Sequence, residues 1–445
     1  MLLSVEFCSH SKPTSKGRPL YNACKLRQYR FLLLLYLALL VPGPVSADDR
    51  SSSHPDDRPE NRPKVRAITA FIHLNPSDYK RQLAETAQTL NIAKKKFEQC
   101  GWMVETIRIT TQPFPEFVRG LPKAKALALL LDLDKLAAGS YEFNVGPATM
   151  NDSDDPAMID LAAEFLARAK VTNSSAVIAA DDGIHWQTLP RVAHLVKYIA
   201  NNTPQGQGNF RFATAMVPPY GPFYPASYHT AGGGKFAIGL ESANVVLRVL
   251  SETRGAPDQA SAKLSSELSH YAREAETIAQ NFAQQSGWDY LGVDPTPAPA
   301  ADISIGAAIE TYTGHLAGSS GTLSSAFLIT TAVRSVPVKQ VGYAGLMLSV
   351  LEDERLAERW SEGKLSIDAL LSYSSVCATG LDTVPLPGDV TEEQIQRILG
   401  DVAALASKWH KPLTARLLPV KDRQAGGKSN FDDPHLTNAT IQPLP

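Results

Sequence analysis

Apolar, β-branched stretches alternate with helical patterns along most of this chain. The segment VRAITAFIHL (65–74) is almost continuously apolar, which is typical of a buried strand. Residues 78–99 then carry apolar side chains at helical spacing, and Gly101 marks the end of that helix. VETIRIT (104–110) predicts a second strand. A strand, a helix and a strand joined by short turns form a right-handed parallel unit.

The same alternation continues almost to the end of the chain. Further strands are predicted at 141–146, 174–181, 210–217, 235–241, 288–294, 344–351, 374–378 and 413–419. Helices are predicted at 122–138, 156–170, 187–201, 257–285, 301–336 and 391–409. About ten strands interleaved with helices indicate one α/β domain over residues 65–419, either closed into a barrel or doubly wound. The tail, 420–445, is predicted to be irregular.

The first 64 residues follow a different plan. Basic residues precede the apolar run FLLLLYLALLV, and small residues follow it up to Ala47, which is the arrangement of a secretory signal peptide over residues 1–47. The apolar run is short for a membrane span, although a retained anchor is the alternative. Residues 48–64 are charged and rich in Pro and Ser, as in a disordered linker. On this interpretation the protein is exported, to the periplasm or the medium.

Charge and cysteine content narrow the choice of partners. The chain has 43 Lys and Arg against 45 Asp and Glu, and residues 1–47 hold six of the basic residues but only one acidic residue, so the remainder is more acidic. An acidic body gives no support for a nucleic-acid partner or for a stable membrane association after signal cleavage. Cys100 and Cys377 remain beyond residue 47, and spacing alone does not establish whether they pair.

Loops that follow predicted strands carry the candidate chemistry, because ligands of α/β folds bind at the carboxyl ends of strands. These loops contain the residues His229, Asp294, Cys377, Gly380 and Asp382. Gly321 and Thr322 lie near a helix start, where backbone N–H groups can hold an anion. Each feature has a structural alternative: a turn, a helix cap, a packed histidine or a buried thiol. No metal-ligand spacing and no cofactor motif is present, so neither a metal nor a cofactor is predicted.

Several of these segments resemble a known family. SSVCATGLDTVPLPGD (374–389) resembles the Cys-x-x-Gly-Leu-Asp signature of an uncharacterised bacterial family, domain of unknown function 711, and GPFYPASYH (221–229) resembles its segment ending in His. GVDPTPAP, SGTLSSA, VRAIT and ARLLP fall in the same order as its other motifs. The resemblance runs from about Val65 to Pro419. Departures include Phe71, Phe143, Asp432 and Asp433, near positions where the family carries glycines, so a ligand site there would be reshaped or filled.

The resemblance implies a fold. Members look like the barrel of pyruvate formate-lyase and other glycyl radical enzymes, with about ten strands in two parallel half-sheets and a loop through the centre. In those enzymes a cysteine on the central loop relays a radical from a glycine near the C-terminus. This chain has no stretch that resembles the radical-bearing glycine loop, so the fold is predicted without radical chemistry.

Two functions remain open at this point. The first is an exported enzyme of hydrolase, lyase or isomerase type with a small polar substrate at the barrel mouth. His229 would exchange protons, Asp294 or Asp382 would orient it, Cys377 would line the pocket or act as the nucleophile, and Gly321, Thr322 and Gly380 would help to bind substrate.

Arg416 would pair with a carboxylate or phosphate of that substrate. The second function is a non-catalytic small-molecule-binding or scaffold protein that keeps the barrel. Fold does not imply function, and a homo-oligomer is left open.

Overall fold

The computed structural model describes residues 61–230, 233–301 and 303–444, and over these residues the chain alternates strands and helices. The strands are β1 (Lys64–Ile72), β2 (Val104–Pro113), β3 (Glu142–Gly146), β4 (Thr172–Ala180), β5 (Gly183–Ile184), β6 (Phe212–Met216), β7 (Lys235–Glu241), β8 (Asp289–Asp294), β9 (Gly380–Leu386) and β10 (Leu413–Pro419). The helices are α1 (Tyr79–Gln99), α2 (Phe114–Phe117), α3 (Lys123–Ala137), α4 (Ala157–Leu166), α5 (Thr188–Asn202), α6 (Ala243–Glu252), α7 (Pro257–Ser286), α8 (Ile305–Thr313), α9 (Thr322–Arg334), α10 (Glu354–Ser361), α11 (Ile367–Ser374) and α12 (Glu392–Trp409). A 3₁₀-helix, Pro204–Arg211, precedes β6.

Two of the predicted strands are wrong. Residues 344–351 form no strand and touch the sheet through one isolated bridge, between Ser349 and Asp382. Residues 374–378 lie at the end of α11 and in the turn after it, where the Cys377 N–H donates to the Tyr373 carbonyl at 2.8 Å. The Ser366 side chain caps the start of helix α11 by accepting from the Ala369 N–H. The strand of this region is β9, directly downstream.

The predicted helix 301–336 is two helices, α8 and α9, because glycines interrupt it. Gly314 ends α8 with φ +74° and Gly321 precedes α9 with φ +105°. Both values lie in the left-handed region that glycine adopts without steric cost. The other predicted strands and helices are present, and α2, α6, α10 and α11 are additional helices that the sequence patterns did not predict.

The sheet consists of two parallel groups of strands that run in opposite directions. Its order is β8-β7-β1-β2-β3-β4-β6-β10-β9, with β5 paired to β4. Strands β1, β2, β3, β4 and β6 are mutually parallel, whereas β7 pairs antiparallel with β1 and β10 pairs antiparallel with β6. The predicted α/β fold with two parallel half-sheets, resembling the pyruvate formate-lyase barrel, is confirmed. The ladder itself is not closed, since β8 and β9 form its two ends.

The segment 339–351 spans the gap between β8 and β9. It makes one isolated parallel bridge to each side, Val293 with Gln340 and Ser349 with Asp382. Asp294, the last residue of β8, holds this segment by accepting from the N–H groups of Tyr343 at 2.9 Å and Ala344 at 3.2 Å. The segment therefore depends on a buried carboxylate for its position.

A loop, residues 218–230, lies inside the barrel-like sheet, on the side away from the helices, and is called the central loop below. Thr69 of β1 donates to the Pro222 carbonyl at 2.9 Å, Thr110 of β2 bonds the Ser227 hydroxyl at 2.9 Å, and Asn144 of β3 donates to the Ser227 carbonyl at 2.6 Å. These three strand residues are fully buried. The predicted loop through the centre is thus present, and neither Cys100 nor Cys377 lies on it.

Helices pack on the outer face of the sheet, and the first described residues are hydrogen-bonded to one of these helices. Helix α1 packs against β1 and β2, and α12 packs against β4, β6 and β10. Asn61 and Arg62, within the predicted linker, accept hydrogen bonds from the Asn244 side chain of α6. After Pro419 the described tail has no helix or strand, yet it buries Phe431 and Ile441. No helix of the described ranges is long and apolar enough to cross a membrane.

We expect Gly342→Ala to destabilise the fold more than Gly363→Ala. Both glycines have positive φ, +78° and +71°, so an alanine costs about 1–2 kcal/mol at either position. A Cβ at Gly342 would in addition overlap the Asp294 carboxylate, whereas a Cβ at Gly363 meets nothing within 4 Å. The overlap adds about 1–3 kcal/mol. Urea unfolding midpoints measure the difference, and equal midpoints would contradict the anchoring role of Asp294.

Candidate ligand pocket

A charged cavity of about 270 Å³ opens at the end of the sheet where β1 begins, and it is called the polar pocket below. Because the two groups of strands run in opposite directions, amino ends of β1 to β4 and β6 meet carboxyl ends of β7 to β10 at this end. Its charged and titratable lining residues are Arg66, Arg108, Lys170, Arg211, Arg416, Glu142, Glu352, Asp433 and His435. The volume lies just below the range of about 300–1,000 Å³ that is usual for small-molecule sites.

Turns, the central loop and the C-terminal tail line the pocket together with residues of the strands. Lys170 lies in the turn before β4, and Arg211 ends the 3₁₀-helix directly before β6. The C-terminal tail supplies Asp433 and His435. The tip of the central loop, 223–225, forms an apolar wall, and its Tyr224 hydroxyl donates to the Ile109 carbonyl of β2 at 2.7 Å. The pocket exists only in the assembled fold.

Arg416 of β10 is the best neutralised cation of the pocket. Its guanidinium donates to both carboxylate oxygens of Asp382 on β9 and to Glu352, and it lies 5.2 Å from the centre of the Phe210 ring. Burial opposes the charge, but the two carboxylates hold the pKa of Arg416 above its usual value. Arg416 was predicted to pair with a carboxylate or phosphate of a substrate; its partners in the structure are protein carboxylates, and substrate binding by Arg416 stays a prediction.

Arg66 and Arg108 are also paired. Arg66 donates to Glu105 at 3.0 Å and to Glu241 at 2.8 Å. Arg108 lies 2.6 Å from the Glu142 carboxylate and 4.8 Å from the centre of the Tyr224 ring. Charge-assisted pairs of this kind leave little of the positive charge for a ligand.

Arg211 differs from these three arginines. Its Nη2 donates to the Ala169 carbonyl at 2.8 Å, and within the described residues no carboxylate oxygen lies within 4.0 Å of its guanidinium. Its Nε is buried without a partner. Burial lowers the pKa of Arg211, against the charges of Asp134 and Asp433, which raise it. Since arginine keeps its proton in proteins, this part of the pocket carries a positive charge that has no carboxylate in direct contact, with Asp433 the charged lining residue that acts on it from a greater distance.

Asp433 and His435 form a titratable pair on the tail. The Asp433 carboxylate accepts from the His435 N–H at 3.0 Å and lies 3.1 Å from His435 Nδ1. Burial alone would raise the pKa of Asp433, but the contact with His435 and the charge of Arg211 hold it below the usual value. The hydrogen bond to Asp433 raises the pKa of His435 above 6.5. The histidine is therefore protonated more readily than a free imidazole.

Asp294 and Asp382 were predicted as catalytic groups, and both are committed to protein contacts. Asp294 is fully buried and accepts from the Thr296 N–H and hydroxyl besides the two N–H groups of the segment 339–351. Burial raises its pKa to about 6, against hydrogen bonds that lower it. Asp382 is paired with Arg416. Only the Asp382–Arg416 pair adjoins the polar pocket.

His229 and Cys377 belong to the opposite end of the sheet. The His229 ring lies 5.7 Å from the Phe71 ring near the end of β1 and 4.3 Å from the Tyr220 ring. Cys377 is fully buried in the hydrophobic core, just ahead of β9. The structure therefore separates these two residues from the polar pocket, and the proton-transfer role of His229 stays a prediction.

The predicted binding residues occupy helix and strand starts. Gly321 precedes α9, and the Thr322 hydroxyl accepts from the Gly318 N–H at 3.0 Å. Gly380 begins β9 with φ +88°, and a Cβ there would overlap the Thr414 carbonyl. These positions have structural reasons for their residues, and anion binding at them stays a prediction.

Sequence reasoning did not find Lys170, Arg211, Glu352 or His435. Lys170 and Arg211 precede strands, Glu352 lies just before α10 and His435 lies in the tail, whereas the search followed carboxyl ends of predicted strands. A possible signal was the segment GPFYPASYH, because its Tyr224 reaches the pocket. Among the described residues no three His, Cys, Asp or Glu side chains are arranged to hold a metal.

Fold and pocket together define a class of protein: an α/β barrel-like protein with its centre filled by a loop and a charged cavity at one end. The model of the family "Uncharacterised ACR (DUF711)" matches residues 59–432. The chain belongs to this family, as its motifs predicted.

Relatives of the chain occur in archaea as well as bacteria. A "UPF0210 protein" of Pyrobaculum arsenaticum is 27% identical over 396 residues, covering 81% of this chain and 86% of the relative. One from Methanocaldococcus jannaschii is 24% identical over 380 residues, covering 79% and 82%. One from Bifidobacterium adolescentis is 26% identical over 273 residues, covering 59% and 60%. The family is therefore not confined to bacteria.

Among solved structures, the anaerobic ribonucleotide reductase from Thermotoga maritima in complex with dATP and CTP is similar at a TM-score of 0.39. It is 9% identical and covers 79% of this chain and 75% of its own. A likeness of this size says nothing about activity.

The predicted exported enzyme of hydrolase, lyase or isomerase type is wrong. The archaeal and bacterial relatives are uncharacterised proteins, and none is described as exported or as an enzyme. The physical reason lies in the placement of the proposed groups: Asp294 anchors a chain segment, Cys377 lies in the core, and neither lines the polar pocket. Residues 1–47 lie outside the described residues, so the signal peptide stays a prediction.

We expect a maleimide to modify Cys100 and spare Cys377 in the folded protein. Cys100 is exposed at the end of α1, whereas Cys377 is fully buried. Thiol reactivity requires access as well as thiolate character. Peptide mapping by mass spectrometry separates the two sites, and denatured protein, in which both react, is the control. Rapid labelling of Cys377 in the native state would contradict its core position.

Proposed function

We propose that this protein binds a small anion in the polar pocket. The observation that carries the proposal is Arg211, a guanidinium that lines the cavity with only backbone carbonyls as partners. Arg211 is half-buried and has no carboxylate in direct contact within the described residues, so a bound anion would supply the missing charged partner. The proposed function is binding, with a small molecule as the partner.

The rest of the lining supports the choice of an anion. Arg66, Arg108 and Arg416 have carboxylate partners, so their charges are balanced within the protein. Lys170 has no carboxylate within 4.0 Å among the described residues and lies beside Ala169, whose carbonyl holds Arg211. Arg211 and Lys170 are therefore the cations of the lining that have no carboxylate in direct contact among the described residues.

We expect Arg211→Met to weaken sulfate binding by about tenfold or more. A hydrogen bond to a charged group contributes about 1.5–3 kcal/mol, and each 1.4 kcal/mol changes the dissociation constant about tenfold. Isothermal titration calorimetry of sulfate into the wild type and the variant measures the change.

Arg191→Met is the matched control. Arg191 is exposed on α5 and lies outside the polar pocket, so the same loss of one positive charge should leave sulfate affinity within about twofold. Sulfate binding that Arg191→Met and Arg211→Met weaken equally would reflect net charge alone. That result, or a wild type that binds no anion, would sink the proposal.

We expect sulfate to bind more tightly as pH falls from about 8 to about 5.5. The pKa of His435 is raised by Asp433, so the histidine gains its positive charge over this range, while the lowered pKa of Asp433 keeps that carboxylate ionised. Sulfate does not titrate here. Arg66 and Glu352, the other charged groups near His435, form ion pairs that persist.

The size of the effect follows from the added charge. One unit charge near a partly solvated anion corresponds to about a two- to tenfold change in affinity. His435→Gln keeps a polar side chain but does not titrate, so its sulfate affinity should be independent of pH. A pH dependence that survives in His435→Gln would assign the effect to another group.

A further inference from the structure

The chemical class of the ligand follows from how the surplus positive charge is distributed, given the anion-binding function proposed above. Arg211 and Lys170 are the two cations of the polar pocket without a carboxylate within 4.0 Å among the described residues. The Arg211 guanidinium donates to the carbonyl of Ala169, the residue before Lys170, so it lies beside the backbone of Lys170. Both side chains line the polar pocket, Arg211 half-buried and Lys170 exposed to solvent.

Two cations in one small cavity favour a ligand group that carries two negative charges of its own. A phosphate monoester carries about −1.5 to −2 charges at neutral pH on three acceptor oxygens. Arginine and lysine are the residues that bind such groups, the first through its planar fork and the second as a point charge. The two carboxylates of a dicarboxylic acid are separated in space, and they would require separated cations.

The cavity also offers unused hydrogen-bond acceptors. Glu352 accepts from Arg416 and Ser349 through Oε2, and within the described residues its Oε1 accepts no hydrogen bond. Asp433 accepts from His435 through Oδ1, and its Oδ2 likewise accepts none in the described ranges. Carboxylate oxygens accept hydrogen bonds and do not donate them, so a ligand that reaches them must supply donors such as hydroxyl groups.

We propose that the polar pocket binds the phosphate monoester of a small hydroxylated compound. The phosphate contacts Arg211 and Lys170, and the hydroxyl groups donate to Glu352 and Asp433. The cavity of about 270 Å³ limits the ligand to a compound about the size of a sugar phosphate. Inorganic phosphate shares the head group but lacks the donors, so it should bind more weakly.

Isothermal titration calorimetry near neutral pH tests this assignment with five probes: glucose 6-phosphate, ribose 5-phosphate, glycerol 3-phosphate, inorganic phosphate and succinate. At least one of the three esters should bind about tenfold or more tightly than inorganic phosphate, and succinate should bind more weakly than that ester. Each additional hydrogen bond to a charged group is sufficient for a change of this size.

Variants of the protein test the contacts of the phosphate group and of the hydroxyl groups separately. Lys170→Met should weaken the best ester and inorganic phosphate by the same factor, about tenfold. Asp433→Asn should weaken only the ester, because Asp433 contacts its hydroxyl groups. Arg191→Met, which removes an exposed charge outside the pocket, should change neither.

The outcomes distinguish this inference from the proposed function. If phosphate binds and depends on Arg211 but no ester binds more tightly, or if succinate binds as tightly as the best ester, the ligand class is wrong and anion binding stands. If none of the five probes binds the wild type, both proposals fail.

Discussion

The central loop is the constraint on which the rest of this molecule depends. It fills the interior of the sheet and bonds to Thr69, Thr110 and Asn144 on three adjacent strands. Space for a ligand is therefore left at an end of the sheet, and the loop tip at 223–225 forms a wall of that space. The tip consists of Phe223, Tyr224 and Pro225, so it presents an apolar wall to that space.

The ion pairs then determine which part of the pocket is available to a ligand. A buried arginine with carboxylate partners, such as Arg416, stabilises the assembly of β9, β10 and the segment before α10. Removing a partner from such a pair costs about 3–5 kcal/mol, because an uncompensated charge remains. Arg211 is half-buried and has no carboxylate in direct contact within the described residues, with backbone carbonyls as its hydrogen-bond partners, so it bears part of such a cost. Proteins retain such a cost where function requires it, and this is the physical reason to place the ligand beside Arg211.

The local sequence pattern was sufficient to predict much of the fold but little of the pocket. β1 was predictable because VRAITAFIHL is almost continuously apolar, as is typical of a strand covered on both faces. β9 was missed because GLDTVPL contains glycine, aspartate and proline and looks like a loop; its Asp382 is stabilised by Arg416, 34 residues later in the chain. Arg211 and Lys170 carry no local signal, since a basic residue before a strand is ordinary. Asp433 stood out as a departure from the family's glycine, and it lines the cavity, but its partners were not readable from sequence.

The most direct test of this account is a crystal structure of the protein grown in selenate, with the selenium located by its anomalous scattering. Selenate has the shape and charge of sulfate, and the account predicts a selenium peak in the polar pocket with oxygens in hydrogen-bond reach of Arg211 and Lys170. Selenium peaks elsewhere on the surface, with none beside Arg211, would contradict the claim that its uncompensated charge makes this cavity an anion site.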